Sequence, residues 1–195
     1  MSKPGRTSEY PILPLLLERH SSRAMSGEIV TEHELMTIFE AAKWAPSSFN
    51  SQPWRFVYVT QEDGRWHDFL SLLVIFNQEW AKSAWALVLV VSHKNFAKTG
   101  EFAVTHSYDT GSACQNMVLQ GFSMGLRVHP LSGFDYARAR DLMELPEDYA
   151  VEVMFAVGKP APISVLSEKL QAAEGLTQRE PLSKLVFREH FRVGE

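Results

Sequence analysis

The sequence predicts a single domain in which α-helices and β-strands are mixed, and three observations carry that expectation. At 195 residues, 45% hydrophobic and 22% charged, the chain is long enough for a sizeable core and short for two ordinary domains. Segments with apolar residues at helical spacing alternate with short β-branched and aromatic runs. No low-complexity linker and no internal repeat interrupts them. Residues 1–8, small, polar and helix-breaking, read as a flexible end ahead of one domain over 9–195.

Each element has its own signal. A leucine-rich helix precedes Arg19. Thr31 and Glu34 fit a capping box, with Leu35, Ile38, Phe39 and Ala42 on one face behind it, so a helix starts there and ends before Pro46. Residues 54–60 alternate with β-branched and aromatic side chains and predict a strand; Trp66, Phe69, Leu70 and Leu73 predict the helix that follows. The apolar run 84–91 predicts a fully buried second strand. One long helix is expected over 102–124, where Ala113, Met117, Gly121 and Met124 share a face and Gly125 marks the end. Asp135 caps a shorter helix running to Glu144 and stopped by Pro146, and 150–157 predicts a third strand closed by Gly158 and Pro160. A helix around 167–174 follows. Leu182, Leu185, Val186, Phe187 and Phe191 then dot a tail that would be a liability on a monomer and is expected to pack on a partner subunit.

Charge and cysteine content narrow the function. With 19 Lys and Arg against 23 Asp and Glu, the net charge of -4 offers no basic excess for a duplex nucleic acid or an anionic membrane surface. The single cysteine, Cys114, excludes an internal disulfide and a C-x-x-C motif and points to a reducing compartment. The stretch 12–17 contains Pro14 and is too short for a signal-peptide core, and 84–91 falls short of the roughly 20 residues of a bilayer helix. The expectation is a soluble cytoplasmic protein with no membrane or nucleic-acid partner.

Standard nucleotide loops are absent: neither G-x-G-x-x-G nor a Walker A motif can be written from these glycines. The seven histidines are dispersed, and His33-Glu34 has Thr37 where H-E-x-x-H needs its second histidine, so no metal site is expected. Gly121-Phe122-Ser123-Met124-Gly125 matches G-x-S-x-G, and Asp135, Asp148 and His190 complete the chain order of a serine hydrolase, which makes Ser123 an alternative nucleophile. Against it, the residues before Gly121 include Asn116 and glutamines and suit a packed helix better than a buried strand. Cys114 with His106 is a weaker pair, eight positions apart on one helix.

Two segments combine polar groups beyond what a core or an ordinary surface requires. Arg19-His20-Ser21-Ser22-Arg23 sets two guanidinium forks and two hydroxyls at a helix end, donors suited to a phosphate, or else a basic end answering the helix dipole. Ala45-Pro46-Ser47-Ser48-Phe49-Asn50-Ser51-Gln52-Pro53-Trp54 is a proline-stiffened loop of short hydrogen-bonding side chains, suited to reading the edge of a heteroaromatic ring or to an ordinary self-satisfied turn.

In this order and spacing the two segments resemble the FMN-dependent nitroreductase family, with its R-[RH]-S-x-R cluster followed about two dozen residues later by A-P-S-x-x-N-x-Q-P-W. The likeness continues through 109–125 with Gly125-Leu126, at Ser132-Gly133-Phe134-Asp135, at the strand 151–158 and at Arg179-Glu180-Pro181-Leu182. It implies an α+β fold, a nitroreductase-like mixed sheet surrounded by helices, with the C-terminal segment extending onto the partner subunit of a homodimer. It also implies tightly bound FMN at the subunit interface. Carried across, Arg19, Ser21 and Arg23 would hold the phosphate and ribityl end, with His20 contributing through its backbone or ring, and Arg179 would be the C-terminal phosphate ligand. Pro46, Ser47, Ser48 and Asn50 would come from the other subunit, and Pro130, Leu131, Ser132 and Gly133 would lie beside flavin N5. The chain departs from the pattern at Thr177 and Gln178, where a second basic residue would precede Arg179, and at His129-Pro130-Leu131.

The implied activity is NAD(P)H oxidation, with hydride passed through flavin N5 to a small-molecule acceptor such as a nitroaromatic, a quinone or another conjugated electrophile. No side chain needs to be an obligatory acid or base, so no catalytic residue is named. Phe49, Phe102 and His106 are candidates for the open flavin face. A specialised relative with other flavin chemistry is a further alternative.

Overall fold

A computed structural model of the chain describes residues 5–191. Its centre is a four-stranded sheet in the order β1-β2-β4-β3, with β1 at Trp54–Thr60, β2 at Ala86–His93, β3 at Arg127–Leu131 and β4 at Tyr149–Gly158. The helices are α1 (Pro14–Glu18), α2 (Glu32–Lys43), α3 (Trp66–Leu72), α4 (Ile75–Ala81), α5 (His106–Ser123), α6 (Tyr136–Leu142) and α7 (Glu168–Ala173). The class is α+β, as expected. The sheet itself is antiparallel in all three pairings rather than mixed. The reason is topological: β2 and β3, joined through α5, run the same way, but β4 inserts between them and pairs antiparallel with both.

Strand β2 is the axis of the core, buried from Ala86 to Ser92, because its alternate side chains enter two separate clusters. Leu87, Leu89 and Val91 face Phe69, Trp80 and Leu170 on one side. Ala86, Val88 and Val90 face Ile38, Ala113 and Met117 on the other. A sheet covered by helices on both faces needs such an apolar central strand.

Local signals place most boundaries. Thr31 accepts from the Glu34 amide while the Glu34 carboxylate accepts from the Thr31 amide, a complete capping box. Asp135 accepts from the Arg138 amide and starts α6. Gly121 packs so closely under Val128 that a Cβ there would collide with the valine methyl, which lets α5 lie on β3. Gly125 acts differently, ending the turn after α5 at φ 78° with open space around it. Helix α5 begins at His106 rather than near 102, because Phe102 bridges back to Asn95.

Residues 1–4 of the expected flexible end lie outside the described residues, as do 192–195 of the domain. From Gly5 the chain runs beside the C-terminal segment: Gln178 Nε2 donates to the Gly5 carbonyl, and the Leu182 amide donates to Glu9. Leu185, Val186 and Phe191 in the tail are exposed. No helix among the described residues is long and apolar enough to cross a membrane.

Candidate functional site

After α1 the chain extends along the ends of β4 and β3. Met25 bridges Pro160, the Ala161 amide donates to the Ala24 carbonyl, and His129 Nδ1 on β3 donates to the Ser22 carbonyl at 3.2 Å. Segment 19–25 is thereby fixed beside the strand that leads to Pro130, Leu131, Ser132 and Gly133. Within it Arg19 Nη1 donates to Ser21 Oγ at 3.2 Å. Arg23 takes another role: its Nη1 donates to Glu174 Oε1 at 2.9 Å, and Ser22 Oγ donates to Glu174 Oε2 at 2.9 Å. This half-buried ion pair ties the segment to the end of α7 and leaves Arg23 Nε buried without a hydrogen-bond partner. His20 hydrogen-bonds through Nδ1 to the Glu18 carbonyl and sets its ring edge-on to Phe122 at 6.0 Å.

Arg179, 160 positions further along the chain, comes to the same place. Burial lowers the Arg19 pKa first, and the Arg6 and Arg179 guanidinium groups lower it further. Hydrogen bonds link the three: Arg6 donates to the Arg19 and Thr177 carbonyls and Arg179 to the same Thr177 carbonyl, so three like charges lie close enough to sense one another. Arg6 had no signal in the sequence, being one of two basic residues, with Lys3, in a polar end.

At the end of β3, Leu131 is buried in the core while Pro130 and Ser132 are exposed. The Gly133 carbonyl accepts from the Val74 amide and from Asn77 Nδ2, both at 3.0 Å, which pins this turn to the start of α4. A Cβ at 133 would meet Asn77 Nδ2 at 2.7 Å, so a larger residue would have to displace the Asn77 amide that holds this turn.

The loop 46–50 sits elsewhere. Pro46 is exposed, Ser47 Oγ accepts from the Gln52 amide, and the Ser48 amide donates to Asp109 Oδ2 at 3.0 Å. Asp109, 4% exposed near the start of α5, also accepts from Thr105 Oγ1 at 3.1 Å. Phe49, Asn50 and Gln52 all have left-handed backbone, at φ 52°, 55° and 48°, a conformation disfavoured for a phenylalanine and tolerated by an asparagine. The result is a fully presented Phe49, 92% exposed, with its ring edge-on to Phe96 over a groove of 450 Å³. His106 turns inward to Ser92 Oγ at 2.7 Å, and Ser92 in turn donates a short hydrogen bond to Glu152; Phe102 is exposed beside the His106 ring.

One chain therefore brings Arg19, His20, Ser21, Arg23, Arg179 and the end of β3 to one region and keeps Pro46, Ser47, Ser48 and Asn50 at another. The loop hangs on Asp109, near the start of α5, and His20 rests on Phe122, near its end. At 1.5 Å per residue these anchors are about 20 Å apart along the helix.

The serine hydrolase alternative is overturned by the same elements. Ser123 is the last residue of α5, not a strand-to-helix elbow, and its hydroxyl donates to the Gln120 carbonyl. Asp135 caps α6 and Asp148 pairs with His93, so neither serves a triad. Cys114 is buried, its thiol pushed up to about 12 mainly by burial, with Glu152 adding to it, and is no nucleophile. Among the described residues no group of three or more His, Cys, Asp or Glu is placed to hold a metal.

The model of the Nitroreductase family matches residues 16–95 and 74–159. The chain belongs to the nitroreductase family. Among solved structures, an oxidoreductase containing FMN superposes on this nitroreductase-family chain with a TM-score of 0.92 at 35% identity, covering 98% of this chain and 99% of that one. An FMN complex from Desulfovibrio desulfuricans assigned to the nitroreductases follows the same fold, with a TM-score of 0.72 at 27% identity over 95% and 100% of the two chains. An oxygen-insensitive NADPH nitroreductase of Helicobacter pylori is 42% identical over 81 residues, 41% of this chain and 38% of the Helicobacter enzyme, so the match spans well under half of that relative's length. An NADH dehydrogenase of Thermus thermophilus is 28% identical over 186 residues, with 79% and 89% coverage.

Proposed function

We propose that this nitroreductase-family protein is an FMN-dependent NAD(P)H oxidoreductase, a cytoplasmic homodimer that reduces nitroaromatics, quinones or similar conjugated electrophiles. The observation that carries the reading is the convergence of Arg19, Ser21 and Arg179 at a seat whose guanidinium groups crowd one another. A phosphate monoester carries nearly two negative charges, and its arrival turns that crowding into attraction through charge-assisted forks. The donor set therefore fits FMN without a glycine-rich loop. When bound, FMN supplies reversible hydride acceptance and donation.

The chain's own residues orient and enclose. Arg19 and Arg179 hold the phosphate, Ser21 and His20 flank the ribityl end, and Arg23, committed to Glu174, keeps the segment extended. Pro130, Leu131, Ser132 and Gly133 wall the reactive edge, held still by Asn77 and the Val74 amide. Pro46, Ser47, Ser48 and Asn50 of the second copy close the site from the far side. Supporting that arrangement are the separation of the two halves along α5 and the uncovered Leu185, Val186 and Phe191 of the tail. Nicotinamide and acceptor take turns on the face left open, where aromatic side chains such as Phe49 and Phe102 accept flat molecules.

The test is the visible absorption spectrum of the purified protein, with the pigment released by heat and identified. FMN near one per chain, and NAD(P)H consumed on addition of a nitroaromatic or quinone, is the expected result. Arg19→Ala should weaken FMN binding by about 1.5–3 kcal/mol, one charge-assisted interaction. A colourless protein that takes up no added FMN would overturn the reading.

A further inference from the structure

The two positions before Arg179 are the uncharged Thr177 and Gln178, and the third positive charge of the seat arrives from the other end of the chain. Arg6 Nε donates to the Thr177 carbonyl at 2.9 Å, and Arg6 Nη1 donates to the Leu17 carbonyl at 2.9 Å and to the Arg19 carbonyl at 2.5 Å. Arg179 Nη1 approaches the same Thr177 carbonyl at 3.3 Å, so two guanidinium groups converge on one oxygen. We propose that Arg6 is a further binding and positioning residue for the flavin phosphate: it clasps the end of α1 to the C-terminal segment and supplies the third guanidinium of the seat. The inference rests on the flavin reading above.

The geometry gives Arg6 two tasks that separate cleanly. Its Nε and Nη1 are used on carbonyls from two segments, 17–19 and 177. Its Nη2 has no protein partner among the described residues and is the donor left for an anion. The clasp is reinforced from both sides by Gln178 on the Gly5 carbonyl and by the Leu182 amide on Glu9. Beside it lies a cavity of 360 Å³ whose lining includes Arg6, Tyr10, Leu16, Leu17, Arg179 and Leu185. Burial and the neighbouring Arg179 lower the Arg6 pKa, and Arg6 and Arg179 act likewise on Arg19. Such mutual repulsion has no use in an empty turn. It is relieved when a dianion sits among the three charges, which makes the charge specific for the phosphate end of the cofactor and indifferent to its ring.

That distinction sets the experiment. Dissociation constants for FMN and for riboflavin, which lacks the phosphate, are measured by flavin fluorescence quenching on the full-length wild-type chain and on Arg6→Ala, Arg6→Gln and Arg6→Lys, with circular dichroism confirming the fold of each. The expected result is that the preference for FMN over riboflavin falls roughly 10- to 100-fold in the Ala and Gln variants, the range of one charge-assisted interaction. Arg6→Lys, which keeps the charge and loses the fork, should fall between them and wild type. An unchanged preference, or equal weakening of both flavins, would overturn the phosphate role of Arg6 while leaving the flavoenzyme reading intact. A wild-type chain that binds neither flavin would overturn both, and the two failures are thus distinguishable.

Discussion

At 8% exposure, with Nδ1 on the Ser22 carbonyl and its ring 4.6 Å from that of Trp80, His129 sits where a charge is poorly solvated. Burial is the main cause that lowers its pKa from 6.5 to about 4, and Arg23 adds to it; the Ser22 carbonyl and Glu174 oppose the shift without reversing it. The unfolded chain takes up this proton near pH 6.5 and the folded chain only near 4, so the unfolded state binds more protons in between. Stability is full above about pH 6.5 and is lost as the pH falls toward 4, by roughly 3 kcal/mol from this residue. Thermal unfolding followed from pH 7.5 down to 4 should show the decline, and His129→Gln should flatten it; an unchanged slope in the variant would assign the decline to other groups. In sequence His129 was one of seven dispersed histidines and part of a departure from the family pattern, with nothing to mark it as buried. Its role depends on Trp80 and Ser22, 49 and 107 positions away, and no local pattern reports such neighbours.

Among the elements, the loop 46–50 shows how a recognisable motif depends on an unrecognised support. Its prolines, serines and asparagine mark it in the sequence, but the buried acceptor that holds it, Asp109, lies on the helix expected over 102–124 and reads there as an ordinary polar position. Asp109→Ala leaves the Ser48 amide and the Thr105 hydroxyl without their acceptor. A loss of about 1–3 kcal/mol in urea unfolding is expected, with faster hydrogen exchange at the Ser48 amide. Asp109→Asn keeps one acceptor oxygen and should retain most of the stability. Helix α2, by contrast, was legible to its first residue, because a capping box is a contact between positions three apart. Strand β3 and helix α4 were not. Five residues containing a proline and two basic side chains carry no strand signal, and seven residues are too few for a helical period to show.

For the whole molecule, the proposed site has two parts separated along α5, and on that proposal oligomeric state is a functional variable. If the phosphate seat of one copy is closed by the loop of another, dimer and flavin affinity fall together. Leu185→Asp combined with Val186→Asp places two charges in the exposed apolar tail. The variant is expected to run by light scattering at the mass of one chain and to bind FMN more weakly than wild type, which should run at the mass of two. Retention of the two-chain mass with unchanged affinity would place the interface away from the tail.

Read alone, the sequence determined what depends on near neighbours and on residue type. The mixed helices and strands, the capped start of α2, the buried β2 and the two motifs of the family were all legible, because periodicity, capping and motif spacing are written within a few residues of one another. Only the tertiary structure decided that β4 separates β2 from β3, that Arg23 is spent on Glu174, and that Arg6 joins Arg19 and Arg179. Those outcomes are set by which surfaces meet when the core closes, and charge and hydrogen bonding act through space over a few ångströms whatever the distance along the chain.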